Sequence, residues 1–291
     1  MNQPWQQPTE VEPGRSLYAH DLERRLLDGI AVGPGDTVLE LAAGFGALCL
    51  RLAGRVRPGG RTICSDIRPE RVAAMEDLIR RDGAEDIEVR TLDMLRLDLA
   101  NSSVDGILCR WGLMFALPPE GAVSEAIRVL RPRRRLAVAV WAEPALNPWI
   151  TLVDAAIQDA GLQVPDDRRG PGRMFSLGAP GKLASLLRAA GFEDVTVDGV
   201  DLTWEYRSFE AYWEEEVLLP GPFEAFFDSL QQVQLGAVRD RLRSLLGPYA
   251  LETGGYRVPG VTLVASGRRP TAGAPGRARG EMATLPRALS D

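Results

Sequence analysis

The chain has 291 residues, 45% of them hydrophobic, with a formal net charge of -6, which suffices for one large α/β domain or two small ones with a proper core. An acidic balance without a long basic stripe excludes a protein whose affinity comes from neutralising phosphates, so nucleic acid is not an expected partner. No run of 18 apolar residues excludes a transmembrane helix, and the opening "MNQPWQQPTEVEPG" lacks the charged and apolar regions of a secretory signal.

Residues 1–15 read as a flexible, proline-rich N-terminus. From Ser16 to 31 the apolar positions Leu17, Leu22, Leu26, Leu27 and Ile30 recur at helical steps with charges between them. "VGPGD" turns into a first strand at 37–42, followed by a helix from about Gly46 to the "GRVRPGG" stretch. "RTICSD" is a second strand ending at Asp66, and Pro69 fits the first position of the next helix, which stops at Gly83. "IEVRTL" and "SVDGILCRW" are the third and fourth strands. The helix "PEGAVSEAIRVLRP" leads through an arginine turn, Arg133 to Arg135, to the fifth strand, "RLAVAVW". Strands alternating with helices at this spacing indicate right-handed crossovers and a parallel sheet buried on both faces.

After Trp141 the pattern changes. Asn147 and Pro148 read as N-cap and first position of the helix "NPWITLVDAAIQDAG", and "APGKLASLLRAAGF" is a further helix. "VTVDGVDLTWEYR" and "VPGVTLVASGRR" are two long strands separated by an aromatic-rich, mostly helical segment. There Phe209, Tyr212 and Trp213 share one helix face, as do Phe223, Phe226 and Phe227; packing of a cap or lining of an apolar pocket both fit. The end of the chain, 270–291, has too little apolar content to fold. Cys49, Cys64 and Cys109 sit inside apolar runs without metal-ligand spacing, so they read as small buried hydrophobes in a reducing cytosol. No metal is expected.

The chemistry concentrates in "TVLELAAGFGALCLRLA", a strand, a glycine loop and a helix, the arrangement that holds a nucleotide. A dinucleotide fingerprint wants a third glycine where Cys49 stands, and a pyrophosphate disfavours a nearby carboxylate such as Glu40. A cofactor bearing an ammonium and a sulfonium gains from that carboxylate, while Gly44 and Gly46 let backbone approach it. Asp66, at the end of the second strand, suits the hydroxyls of a ribose in either case.

The blocks "VLELAAGFG", "CSDIRPERV", "LDMLRLDL", "SVDGILCRWGLMF" and "EAIRVLRPRRRLAVAVW", in this order, resemble class I S-adenosylmethionine-dependent methyltransferases. The similarity is to the branch of the ubiquinone and menaquinone biosynthesis enzymes and of bacterial small-molecule methyltransferases, and it extends more weakly over about 16–269. It implies a Rossmann-like α/β fold: seven strands, mostly parallel with an antiparallel last strand, helices on both faces and a helical substrate cap. The corresponding division is a core at 16–142, an insertion helix and completion of the core at 143–207, the cap at 208–250 and the last core strand at 251–269. S-adenosyl-L-methionine is the implied cofactor. Glu40, Ala42, Gly44 and Gly46 would line its methionine end, Asp66 would bind the ribose, and Ile67 would pack on the adenine. Asp93 and Met94 would hold the adenine edge, and Arg110 and Trp111 would lie near the methyl group. Where the family has glycines, this chain has Ala42, Ala47 and the arginine turn.

His20, the only histidine, has the titration range of a general base. It lies with Tyr18 and Arg15 on the N-terminal helix, which in this family often closes over the cofactor. The implied activity is methyl transfer to oxygen, carbon or nitrogen of a small, largely apolar metabolite, in bacterial specialised or quinone-like metabolism, by a cytoplasmic monomer or homodimer. A rival reading keeps the cofactor but performs a non-methylating reaction such as cyclisation. A non-catalytic subunit fits less well, because the glycine loop is intact.

Overall fold

The computed structural model describes residues 13–165, 170–218 and 224–271. Its centre is one seven-stranded sheet in the order β3-β2-β1-β4-β5-β7-β6. The strands are β1 (Thr37–Leu41), β2 (Arg61–Asp66), β3 (Ile87–Thr91), β4 (Val104–Arg110), β5 (Leu130–Trp141), β6 (Glu193–Tyr206) and β7 (Tyr256–Arg268). β1 to β5 pair in parallel, whereas β7 runs antiparallel to both of its neighbours. This is the expected architecture. Parallel strands need covered faces, and β4 is buried along nearly all its length.

The helices α1 (Pro13–Ile30), α2 (Cys49–Val56), α3 (Pro69–Asp82), α4 (Pro119–Val129), α5 (Pro148–Asp159) and α6 (Lys182–Ala189) supply that cover. α1 starts at Pro13, earlier than the proposed flexible lead-in ends, because proline is tolerated in a first turn. It lays the fully buried Leu22 and Leu26, with Ile30, against the core. Among the described residues, no helix is long and apolar enough to cross a membrane. α7 (Phe209–Trp213), α8 (Glu224–Ser229) and α9 (Gln232–Leu245) make up the aromatic segment. Phe209 and Trp213 are buried, with the Arg239 guanidinium 5.3 Å from each ring centre, and the buried Tyr212 donates to the Trp149 carbonyl at 2.6 Å. These rings pack the segment onto α5; Phe223 lies outside the described residues.

Two expectations are corrected. The arginines 133–135 are not a solvated turn, because α4 ends at Val129 and β5 begins at Leu130. A register shift opposite Val104 and Gly106 absorbs the extra residues, and Arg133 takes a left-handed backbone (φ 68°), where the family's glycine would be at ease. Arg134 pairs with Asp36 at 2.7 Å and with Asp105 at 3.0 Å, and Arg131 also pairs with Asp105. Burial raises the Asp105 carboxyl, but the Thr37 amide and these arginines outweigh it and hold the group below its ordinary range. The arginines therefore neutralise carboxylates at the base of the sheet.

Asn147 is the N-cap residue of α5 and Pro148 opens the helix, as expected, but the Asn147 side chain makes no capping bond. It is fully buried and donates to the carbonyls of Ala142, Glu143 and Val261 at 3.3, 3.2 and 3.1 Å. Its oxygen accepts from the Val261 amide and the Trp149 indole, both at 3.1 Å. One amide thus ties the start of α5 to β7, satisfying groups that burial would otherwise leave unpaired. Asn147→Ala should lower the unfolding free energy by about 2–4 kcal/mol, measured by urea denaturation; a loss within error of zero would contradict this role.

Candidate functional site

At the carboxyl end of the parallel strands, Glu40, Ala42, Ala43, Gly44, Phe45, Ala47, Arg71, Arg110 and Trp111 line a cleft of about 300 Å³. Five of the expected residues, Glu40, Ala42, Gly44, Arg110 and Trp111, therefore meet on one surface. The loop after β1 creates it. Ala42, Gly44 and Gly46 all take positive φ, at 52°, 63° and 86°, so the chain turns sharply without entering a helix until Cys49.

The two glycines differ in what they make room for. A Cβ on Gly44 would meet nothing within 4 Å, whereas one on Gly46 would stand 3.0 Å from Met75 Cγ and 3.3 Å from Leu78. Gly44 leaves its side of the loop open, and Gly46 admits α3. Ala42 holds a conformation that favours glycine, and its methyl is accommodated because residue 112 lacks one: a Cβ on Gly112 would come within 2.4 Å of Ala42 Cβ.

Asp66 sits under the loop, almost fully buried. One carboxylate oxygen accepts from the Gly44 amide and the other from the Arg68 amide, both at 3.0 Å, and Arg71 approaches at 3.5 Å. A carboxylate offers about four acceptor sites, so capacity for hydroxyl donors remains. Ile67, next in sequence, is 59% exposed, unusual for a large aliphatic side chain and suited to a flat apolar ligand. β2 and β3 pair to Asp66↔Thr91, and the Leu92 amide donates to the Asp66 carbonyl at 3.1 Å, which carries Asp93 and Met94 past this point. Asp93 is exposed and accepts from the Leu95 amide at 2.9 Å, a turn-closing bond; Met94 is half-buried under Gly112.

Glu40 is buried, with Cys49 and Cys64 directing their thiols at one of its oxygens at 3.6 and 3.8 Å. Burial pushes its carboxyl from the ordinary 4.5 up to about 7, against the opposing pull of Arg110. Burial likewise pushes the Cys64 thiol well up, and the Cys109 thiol up to about 12. Arg110 donates at 2.9 Å to Glu23, a buried carboxylate on α1 that also pairs with Arg51.

Trp111 closes the other side of the cleft with a left-handed backbone (φ 54°), an outlier for a bulky residue that its surroundings must enforce. Its amide donates to the Ala139 carbonyl at 2.9 Å and its indole to Thr262 at 3.0 Å. Its ring stacks on Trp141 at 4.4 Å, and a second stacked pair, Trp149 and Trp204 at 4.8 Å from one another, lies tilted against Trp141.

Tyr18 and His20 belong to α1, but their side chains, like that of Arg15, lie outside the described residues. Sequence reasoning missed Glu23, Phe45, Arg71 and Thr262. Glu23 had a signal: it stands three and four residues before Leu26 and Leu27, and a carboxylate on an apolar stripe needs a buried partner. For Thr262 and Arg71 the sequence offers none.

Comparison with known proteins agrees with this geometry. Residues 38–133 match a family model described as a methyltransferase domain. The nocamycin O-methyltransferase of Saccharothrix syringae is 30% identical over 67% of this chain and 72% of its own length. The demethylmenaquinone methyltransferase of Beutenbergia cavernae is 33% identical over 46% of this chain and 53% of its own. The chain spans about half the length of most of the curated relatives it matches. Among solved structures, the YcgJ protein of Bacillus subtilis superposes with a TM-score of 0.59 at 15% identity, covering 86% of this chain and 99% of that one.

The raised Glu40 carboxyl makes the free protein pH-sensitive. Its contribution to stability is fully present below pH 4.5 and is lost as pH rises through about 7. In chelator-treated buffer, Glu40→Gln should therefore gain on the wild type as pH rises across that window, by on the order of 3 kcal/mol at its upper end. Thermal unfolding of both proteins against pH checks this; parallel curves would contradict it.

Proposed function

This chain belongs to the class I S-adenosylmethionine-dependent methyltransferases, and we propose that it transfers the cofactor's methyl group to oxygen, carbon or nitrogen of a small, largely apolar metabolite. The observation that carries the reading is the cleft itself. A buried carboxylate, an open glycine backbone, an acid at the end of β2 and an exposed isoleucine beside it form a graded surface for a ligand with a cationic amino-acid end and a nucleoside end.

Bound S-adenosylmethionine supplies an electrophilic methyl on a sulfonium. Glu40 offers its carboxylate to the ammonium, with the Gly44 backbone approaching the methionine portion. Asp66 accepts from the ribose hydroxyls while holding the loop through the Gly44 amide, and Ile67 gives the adenine an apolar face. Asp93 and Met94 flank the adenine edge. Trp111, fixed by Thr262 and Trp141, walls the transfer region and keeps water out, so that the acceptor is held in line with the methyl carbon.

The apolar character of the acceptor is supported by the chain that follows Trp111. Phe115 and Leu117 are 53% and 59% exposed, and the 170–178 segment packs beside them, with Ser176 donating to the Met114 carbonyl at 2.6 Å. Large exposed apolar side chains beside a polar cleft mark a binding mouth. Where the acceptor is a phenol or alcohol, His20 or Tyr18 of α1 would take its proton. The nocamycin and menaquinone chemistry of the relatives supports a place in specialised or quinone-like metabolism.

Calorimetric titration tests the reading. S-adenosylmethionine and S-adenosylhomocysteine should bind with micromolar affinity and NADH should not; Asp66→Ala should weaken both by about 10- to 100-fold. Incubation with candidate acceptors should then yield a product heavier by one methyl, with S-adenosylhomocysteine released. A product of unchanged composition would replace methyl transfer by a rearrangement such as cyclisation. His20→Ala should lose turnover while keeping cofactor affinity; unchanged turnover removes His20 from the mechanism.

A further inference from the structure

Cys49 and Cys64 are fifteen residues apart in sequence, yet the fold converges both on Glu40. Glu40 and Cys64 are direct partners in the β1–β2 register, so their side chains leave the sheet on the same face. Cys49 opens α2 and completes the group from above. One oxygen of Glu40 and the two sulfurs lie within 4.8 Å of one another, all buried. The Met75 thioether is 3.9 Å from the Cys49 sulfur. Around them Ala53, Val72, Ile79 and Ala84 form a small apolar shell separate from the main core.

From this geometry we propose that Glu40, Cys49 and Cys64 form a binding site for one thiophilic divalent cation of the zinc or cadmium class. The spacing favours it. In a tetrahedral site with metal–sulfur bonds of about 2.3 Å and metal–oxygen bonds of about 2.1 Å, neighbouring ligand atoms stand roughly 3.5–3.8 Å apart. The carboxylate oxygen is already 3.6 and 3.8 Å from the two sulfurs, so a cation can enter between them with little movement. Two thiolates select for soft metals against magnesium or calcium. The fourth position falls to the Met75 thioether or to water from the cleft that Glu40 lines. Binding displaces the protons of both thiols, and the three anionic ligands exceed the cation's charge by one, which the nearby Arg110 guanidinium offsets.

The site has a functional consequence, which rests on the cofactor reading above. A metal bound to Glu40 neutralises its carboxylate and places positive charge beside the cleft, so cation and cofactor ammonium oppose each other, and the opposition is reciprocal.

Zinc counting tests the site without reference to the cofactor. Reduced, chelator-treated protein is dialysed against zinc, and the bound metal is measured by atomic absorption; cadmium replaces zinc to report thiolate ligation through its charge-transfer absorption. One equivalent per chain is expected in the wild type and in Cys109→Ser, with loss of the metal and of the absorption band in Cys49→Ser and Cys64→Ser. Absence of stoichiometric zinc in the wild type, or equal binding by all four proteins, overturns the proposal. Circular dichroism of the variants separates loss of ligands from loss of fold. The coupling is read from S-adenosylhomocysteine titrations, which should weaken by about tenfold or more when zinc is present in the wild type and stay unchanged in Cys64→Ser. Intact binding that ignores zinc overturns the coupling; absent binding with one zinc retained overturns the cofactor reading instead.

Discussion

Parallel pairing of β1 with β2 on one side and β4 on the other is the constraint from which the site follows. It brings three carboxyl-terminal strand ends to one edge, and with them Glu40, Asp66 and Arg110. A parallel strand cannot turn back directly, so each must leave the sheet there through a loop toward a helix. The loop after β1 is pinned at two points, Ala43 to the Ser65 carbonyl at 2.8 Å and Gly44 to the Asp66 side chain at 3.0 Å. The acid at the end of β2 is therefore a structural part of the loop before any ligand arrives.

The charges around the cleft are arranged asymmetrically. Arg110 already has a hydrogen-bonded partner in Glu23, which Arg51 also engages, whereas Glu40 faces two weakly donating thiols. A buried carboxylate with such partners is held toward its neutral form, and a cation placed beside it restores the charge. The same preference would serve either cation proposed above, an ammonium from the cleft or a metal from between the thiols. Burial makes the carboxylate selective for positive partners in either case.

On the Trp111 side of the cleft, the architecture depends on segments far apart in sequence. Trp111 leaves β4 in a strained backbone conformation, Trp141 ends β5, Trp149 starts α5 and Trp204 lies on β6, and their rings form two stacked pairs that meet at a tilt. Thr262 on β7 holds the Trp111 indole and itself donates to the Val140 carbonyl at 2.8 Å. Asn147 connects the same strand to α5 from within the core. The antiparallel β7 thus acts as the frame that orients the wall of the cleft.

By itself the sequence determined the order of strands and helices and the glycine loop with Glu40, Gly44 and Asp66, because these depend on local periodicity and on spacing along one repeating unit; Ala42, Arg110 and Trp111 came from the family resemblance. Family resemblance extended this to the antiparallel last strand. Tertiary structure alone decided that Arg131 and Arg134 clamp Asp36 and Asp105, that the Asn147 side chain ties β7 instead of capping α5, that Gly46 serves α3, and that Cys49 and Cys64 meet at Glu40. Each of these depends on which elements pack against one another and on which way a side chain turns, not on neighbours along the chain. The sequence pattern records which groups must be buried; only the packed chain specifies the partners that make their burial possible.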